Sequence, residues 1–230
     1  MSVSSEIRAG LADIAPPLLA AVPIGFLFGA IATAKGLSPA EVLAMSACVF
    51  AGGAQFAAIE QWAQPVPILT LAFGTLLINA RHVLMGASLA PKTGAFAPWQ
   101  RFLGFFAMAD ENWALSERRA GNARLTPAYY FSMTVTFYLN WLLWSTAGAL
   151  VGPWLGDPAR FGADFAFTAL FIGLIVGFCK SRVSLAAILA SGLVAALVKV
   201  TVGAPWYVPA GALAGIVAAW LAAEDQEALA

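Results

Sequence analysis

VPILTLAFGTLLINARHVLMGASL, Val66–Leu89, is an apolar run long enough to cross a bilayer, yet it carries Asn79, Arg81 and His82 deep inside it. An ionised side chain at the centre of a membrane costs about 2.5–3.5 kcal/mol on insertion scales. A chain keeps such groups where they pair, line a cavity or move something. A second polar group, Asp110-Glu111-Asn112, directly follows the apolar run Phe102–Met108. The two groups together point to a polar pathway through a chain that crosses a membrane several times.

Composition agrees. The 230 residues are 61% hydrophobic and 10% charged, with mean hydropathy +0.82. A soluble domain has about 45–50% apolar and about 25% charged residues, so polar surface is too scarce here to cover a water-soluble globule. An all-α, polytopic helical bundle is expected, a single transmembrane transporter domain over 1–230, with the lipid bilayer as its surroundings. Net charge is zero, which argues against nucleic acid as a partner. One His and two Cys exclude a structural zinc cluster, and neither metal nor cofactor is expected. Cys48 and Cys179 lie in apolar runs and read as buried free thiols. The carboxylates lack a second positioned group, so no catalytic residue is assigned and an enzyme is not expected.

The candidate spans are Ile14–Ala34, Pro39–Ile59, Val66–Leu89, Ala128–Val151, Phe165–Cys179, Val183–Val202 and Trp206–Ala222. Ser38-Pro39-Ala40-Glu41 is a helix start, with Ser as N-cap, Pro at the first position and Glu at the third. Trp62, Trp99, Trp154, Trp206 and Tyr207 sit near span ends, as an interfacial belt requires. The first run reads as a retained span. It is longer than a signal peptide's apolar region, and Glu6, Arg8 and Asp13 give no basic segment before it.

Arg101–Arg118 leaves two readings open: a polar eighth span, or a re-entrant half-helix buried in protein. Eight spans with the N-terminus inside put Arg8, Arg118, Arg119, Arg124, Lys180 and Arg182 inside, and Lys35, Lys92, Arg101 and Arg160 outside. Seven spans with the N-terminus outside leave only Arg8 and Arg160 outside, and the positive-inside rule prefers this arrangement. Both place Arg118–Arg124 and the C-terminus in the cytoplasm. An internal repeat also suggests itself. Phe28-Gly29 with Leu37–Ala44 resembles Val176-Gly177 with Val183–Ala190, and transporters are often built from duplicated halves.

Within the second span, Phe50-Ala51-Gly52-Gly53-Ala54-Gln55-Phe56 contains two adjacent glycines. Each weakens a helix by roughly 1 kcal/mol relative to Ala. Such a site is where a transporter helix unwinds and offers backbone groups to a substrate, with Gln55 facing a polar cavity; close helix packing through small residues is the other reading. Arg81 is expected to be buried and bonded to Asp110 or Glu111. Its planar fork also suits a carboxylate. Histidine is the side-chain type that serves as a proton relay at physiological pH, which makes His82 a candidate. Asp110 and Glu111 point about 100° apart on a helix, so only one faces a given partner. Asn140 is either interhelical glue or a substrate contact, and Lys199 reaches toward an interface.

Taken in order, Pro23–Gly29, Gly36–Pro39, Met45-Ser46 with Val49–Phe56, Ile78–His82 and Asp110-Glu111 resemble the AzlC-type permeases, the large subunits of branched-chain amino acid exporters (AzlC/AzlD, LIV-E type). The likeness runs from Ile14 to about Leu115 and continues mainly as hydropathy. It implies a multi-pass protein of the bacterial cytoplasmic (inner) membrane, working with a separate small AzlD-type subunit. The favoured reading is export of branched-chain or other apolar L-amino acids, driven by the proton gradient. A zwitterionic substrate suits the residues. Arg81 or the N–H groups near Gly52-Gly53 would take the carboxylate, with Asn79 and Gln55 beside them. Asp110 or Glu111 would take the ammonium, and Phe50 and Phe56 would wall the side chain. Proton coupling falls to Asp110, Glu111 and His82. A channel or facilitator for a small polar solute is the alternative.

Overall fold

A computed structural model describes residues 2–155, 168, 172, 175, 176, 179, 181–203 and 206–227. Every element among them is a helix: α1 (Val3–Ala34), α2 (Pro39–Cys48), α3 (Gly52–Glu60), α4 (Ile68–Asn79), α5 (Arg81–Leu89), α6 (Pro98–Phe106), α7 (Asp110–Asn122), α8 (Pro127–Leu155), α9 (Arg182–Thr201) and α10 (Tyr207–Glu227). Val3–Ala34, Ile68–Thr93 and Arg182–Thr201 are long and apolar enough to cross a membrane. The fifth apolar run, Phe165–Cys179, falls largely outside the described residues. Arg160, Lys180 and the Gly177 of the suggested repeat lie outside them as well.

The chain divides into two compact units, Met1–Ala63 with Asn79–Phe161, and Gln64–Ile78 with Gly162–Ala230. In the first, α1 and α8 pack along each other. A Cβ built on Gly10 would meet the Tyr129 carbonyl oxygen at 2.6 Å, one on Gly29 the Ser145 carbonyl oxygen at 1.9 Å, and one on Gly152 the Ala30 Cα at 2.8 Å. Contact positions rise together in both helices, so the two run parallel. Gly25 and Gly29 on α1, and Gly148 and Gly152 on α8, have the four-residue spacing that lets helix backbones approach closely in a membrane. Approach this close brings dispersion contact between the two helices at each of these glycines.

The second span is not one helix. The predicted cap at its start is present: Ser38 accepts from the Glu41 N–H, and Glu41 accepts from the Ser38 N–H. Helix α2 stops at Cys48, three residues leave the helical path, and α3 starts at Gly52. Gln55 Nε2 donates to Ser46 Oγ at 3.3 Å. Nine residues of straight helix would separate those positions by about 14 Å, beyond the reach of the two side chains, so α3 turns back toward α2.

The ambiguous stretch is likewise two pieces. The Arg101 guanidinium donates to the Thr93 carbonyl, Asp110 meets Arg81, and Glu117 meets Lys92. Measured against α5, α6 therefore travels one way and α7 returns. Helix α7 is antiparallel to α8, with Asn112 on Thr134 and Arg119 over Tyr129.

In the second unit α9 and α10 pack with Gly211 against Ala195 and Gly215 against Ser191, an antiparallel pair. Ser181 caps α9, Phe73 of α4 meets Trp206 edge to face at 5.8 Å, and Lys199 lies over the Tyr207 ring at 5.8 Å. The expectation for the cysteines fails: Cys48 and Cys179 are free but exposed. An apolar run in a membrane protein has a lipid-facing side, so apolar flanks do not imply an interior thiol.

The seam makes a prediction. Gly29→Val and Gly148→Val force side chains into backbone, and each should cost about 1–3 kcal/mol or more. Gly121→Ala, in helix with open space around it, should be neutral or stabilising by up to about 1 kcal/mol. Thermal denaturation of detergent-purified protein, followed by size-exclusion, measures the difference.

Candidate functional site

The break between α2 and α3 is held by one face of α8. Ending α2 early frees the Ala47 carbonyl, because the Ala51 N–H turns to Val49 instead. The Tyr138 hydroxyl donates to that carbonyl at 2.9 Å. Phe50, at the bend, packs edge-on against Tyr138 at 4.9 Å and Phe137 at 6.1 Å. A Cβ on Gly52 would lie 3.0 Å from the Trp141 ring, so only glycine fits there without shifting the indole. Ala51 offers no side-chain cap, and the first N–H groups of α3 have no acceptor within their own helix. Phe56 packs on Phe28 at 5.5 Å.

Gln55 does not open onto a polar cavity. It is 0% exposed. Trp141 Nε1 donates to its Oε1 at 2.9 Å, its Nε2 reaches Ser46, and Ser46 shares a 2.9 Å hydrogen bond with Ser145. Partners on its own hairpin and on α8 satisfy the amide. Such saturation depends on which helices meet, so it was invisible from the glutamine alone.

Arg81 and Asp110 do come together. Arg81 Nη1 lies 2.9 Å from Asp110 Oδ2, with the side chains 40% and 46% exposed. The pair exists as expected, but Arg81 is not buried. Each charge opens the helix that follows it, and Asp110 gains from the positive end of α7. An ion pair this open is stable only against water or another polar surface. Arg81 Nε and Asn79 Oδ1 are enclosed and have no hydrogen-bond partner among the described residues. Glu111 is exposed and forms no ion pair among the described residues. His82 Nδ1 lies 3.2 Å from the Asn79 carbonyl, a bond within its own turn. Asn112 is fully buried; it accepts from the Ala109 N–H and donates to the Ala107 carbonyl and to Thr134.

A third polar group was missed. Glu6, 5% exposed, binds Arg119 at 2.7 Å and accepts from Thr126 at 2.7 Å. Asp13 accepts from the Tyr129 hydroxyl at 2.5 Å and lies 3.4 Å from Arg118. In the sequence Glu6 and Asp13 stand as charges ahead of a span. Their seven-residue spacing, two turns on one helix face, was the available signal. Asn140 donates to the Leu18 carbonyl at 3.3 Å, which is the interhelical role.

A family model described as AzlC protein matches residues 16–155, which include both helix breaks and the Arg81–Asp110 pair. An uncharacterized membrane protein of Archaeoglobus fulgidus is 30% identical over 184 residues, 79% of this chain and 80% of that protein. The inner membrane protein YgaZ of Escherichia coli is 29% identical over 226 residues, 96% of this chain and 90% of that protein. The Bacillus subtilis branched-chain amino acid transport protein AzlC is 28% identical over 192 residues, 81% of this chain and 74% of that protein. No solved structure matches.

The buried network at the break is testable without knowing a substrate. Trp141→Phe keeps an aromatic ring but strands Gln55 Oε1 and leaves part of the indole's space empty, at a cost of about 1–3 kcal/mol or more. Adding Gln55→Leu removes the stranded group, so the double variant should be more stable than the two single losses added together. Thermal unfolding of the four proteins in detergent gives the coupling directly.

Proposed function

The chain belongs to the AzlC family, and from that premise we propose that it is a permease subunit exporting branched-chain or other apolar L-amino acids. In this reading export draws on the proton gradient and requires a separate small AzlD-type membrane subunit. The whole chain acts as one transporter domain in a bacterial cytoplasmic membrane. The observation that carries the reading is the family match over 16–155, which encloses the broken helix and the charge pair. The name of the Bacillus subtilis relative supports the substrate class.

The residues fit a zwitterion whose side chain is aliphatic. Among the described residues the Arg81 Nε–H and the Asn79 Oδ1 have no partner, a donor for carboxylate beside an acceptor for ammonium. The N–H groups at Gly52 and Gly53 offer a second carboxylate position. Phe50, Gln55 and Phe56 are 8%, 0% and 5% exposed, so in this reading they meet a substrate only in a state in which the break loosens from α8, Phe50 and Phe56 then supplying apolar wall. Asp110 and Glu111 carry the coupling proton, with His82 as relay. Asp110 is tied to Arg81 and Glu111 is not, so the two acids respond differently as the Arg81 contact is made or broken.

Orientation follows from charge. Arg118–Arg124 belong in the cytoplasm by the positive-inside rule, and Glu6 is bonded to Arg119. The N-terminus is then cytoplasmic too, the opposite side from the one the charge count alone preferred for it.

Reconstitution with the partner subunit tests the reading. Vesicles loaded with valine should show uphill efflux under an imposed pH gradient, and Asp110→Asn should lower it at least tenfold while gradient-free exchange persists. Equal downhill flux with and without the gradient would mean a facilitator. Wild-type efflux in both Asp110→Asn and Glu111→Gln would remove these acids from coupling.

A further inference from the structure

The first unit contains the same construction twice. Leu27, Gly29, Ala30 and Lys35 near the end of α1 match Leu84, Gly86, Ala87 and Lys92 in and after α5, at identical spacing. After each comes a short connection and a half-helix that starts on proline, Pro39 or Pro98. In each the side chain three residues beyond the cap accepts from the cap's own N–H: Glu41 from Ser38 at 2.7 Å, Gln100 from Ala97 at 2.9 Å. In each, three non-helical residues follow, 49–51 or 107–109, and then a second half-helix, α3 or α7. Both hairpins turn back, as the Gln55–Ser46 bond and the Arg101–Thr93 and Asp110–Arg81 contacts require.

The two copies face opposite ways. Helix α1 is parallel to α8. Helix α5 is parallel to α7, because Arg81 meets Asp110 and Ser88 donates to Glu117 at 2.8 Å, and α7 is antiparallel to α8. So α5 runs against α1. The hairpin tips nevertheless reach neighbouring turns of α8, Phe50 at Phe137 and Tyr138, Asn112 at Thr134. Each first half-helix leaves a carbonyl without its intrahelical partner, and a tyrosine of α8 supplies the donor. Tyr138 bonds Ala47 at 2.9 Å and Tyr130 bonds Gly104 at 2.7 Å. Backbone broken at membrane depth is tolerated only where protein satisfies it.

We propose that α1–α3 and α5–α7 are inverted copies of one helix-plus-re-entrant-hairpin unit. Neither Pro39–Ile59 nor Arg101–Arg118 then crosses the membrane. Helix α8 holds the two hairpins as gates, α2–α3 toward the outer face and α6–α7 toward the cytoplasm. Tyr138 and Tyr130 are their positioning residues. The gating role rests on the transport reading, whereas the topology does not.

Sidedness of labelling tests it on the full chain in membrane vesicles. In a Cys48→Ser, Cys179→Ser background, single cysteines replace Lys35 and Ala63, which flank α2–α3, and Gly94 and Asn122, which flank α6–α7. A membrane-impermeant maleimide should reach Lys35→Cys and Ala63→Cys from the outer face only, and Gly94→Cys and Asn122→Cys from the inner face only. Members of either pair reacting from opposite faces would overturn the topology. Adding Tyr138→Phe should raise labelling of a Gly53→Cys variant from outside at least fivefold, and Tyr130→Phe should raise labelling of an Ala109→Cys variant from inside. No change, or equal change from both faces, would overturn the gate assignment. Where a tyrosine variant folds poorly, the four loop positions decide the topology by themselves. Correct sidedness without amino-acid efflux would refute the proposed function and leave the repeat standing.

Discussion

Two backbones in contact set the terms for the larger unit. Where α1 meets α8, a Cβ on Gly29 or on Gly148 would stand 1.9 Å from a carbonyl oxygen of the other helix. In a membrane the hydrophobic effect does not drive helices together, because lipid is as apolar as a leucine side chain. Close approach replaces it, by maximising dispersion over a long seam. The approach also fixes register to within a turn, since the glycines of one helix must meet the backbone of the other. That register places the first residues of α1 beside the start of α8, and Glu6 and Asp13 find Arg119, Thr126, Tyr129 and Arg118 as a consequence.

With α8 so fixed, its remaining surface becomes a template. Tyr130, Thr134, Phe137, Tyr138, Trp141 and Ser145 recur at helical spacing and meet the half-helices in turn. The contacts divide the labour. Tyrosine hydroxyls satisfy carbonyls freed where helices stop, the indole N–H satisfies Gln55, and Phe137 packs the bend. An unsatisfied backbone group in hydrocarbon costs several kcal/mol, so these hydrogen bonds are conditions for the broken helices to exist. They also make the breaks addressable, because loosening one donor loosens one hairpin.

The ion pairs differ in kind. Glu6 and Arg119 are enclosed, and Glu6 has a further donor in Thr126. Removing one member of such a pair leaves a charge without compensation. Arg81 and Asp110 are nearly half exposed, and such pairs contribute about 0–1 kcal/mol in water. The enclosed pair suits a fixed anchor for α7, and the open pair suits a contact that is made and broken. Helix α7 links them, with Asp110 and Glu117 turned toward Arg81 and Lys92 and with Arg118 and Arg119 turned toward α1.

Much of this was readable from residue order. The apolar runs Ile14–Ala34, Val66–Leu89 and Val183–Val202 announced stretches of helix long and apolar enough to cross a membrane, Ser38-Pro39-Ala40-Glu41 announced a helix start, and Gly52-Gly53 announced a break, because each depends on neighbours in the chain. Arg81 and Asp110 were matched because intramembrane charges are few and must find each other. What a residue faces was decided only by tertiary structure. Gln55 proved saturated rather than open, Cys48 proved exposed, and Glu6 became part of an enclosed pair although it resembled a flanking charge. Direction was hidden as well. A hydropathy run is the same read up or down the membrane, so nothing in Pro39–Ile59 reveals that the chain turns back at residues 49–51. The reversal follows from contacts with α8, eighty to one hundred residues later in the chain.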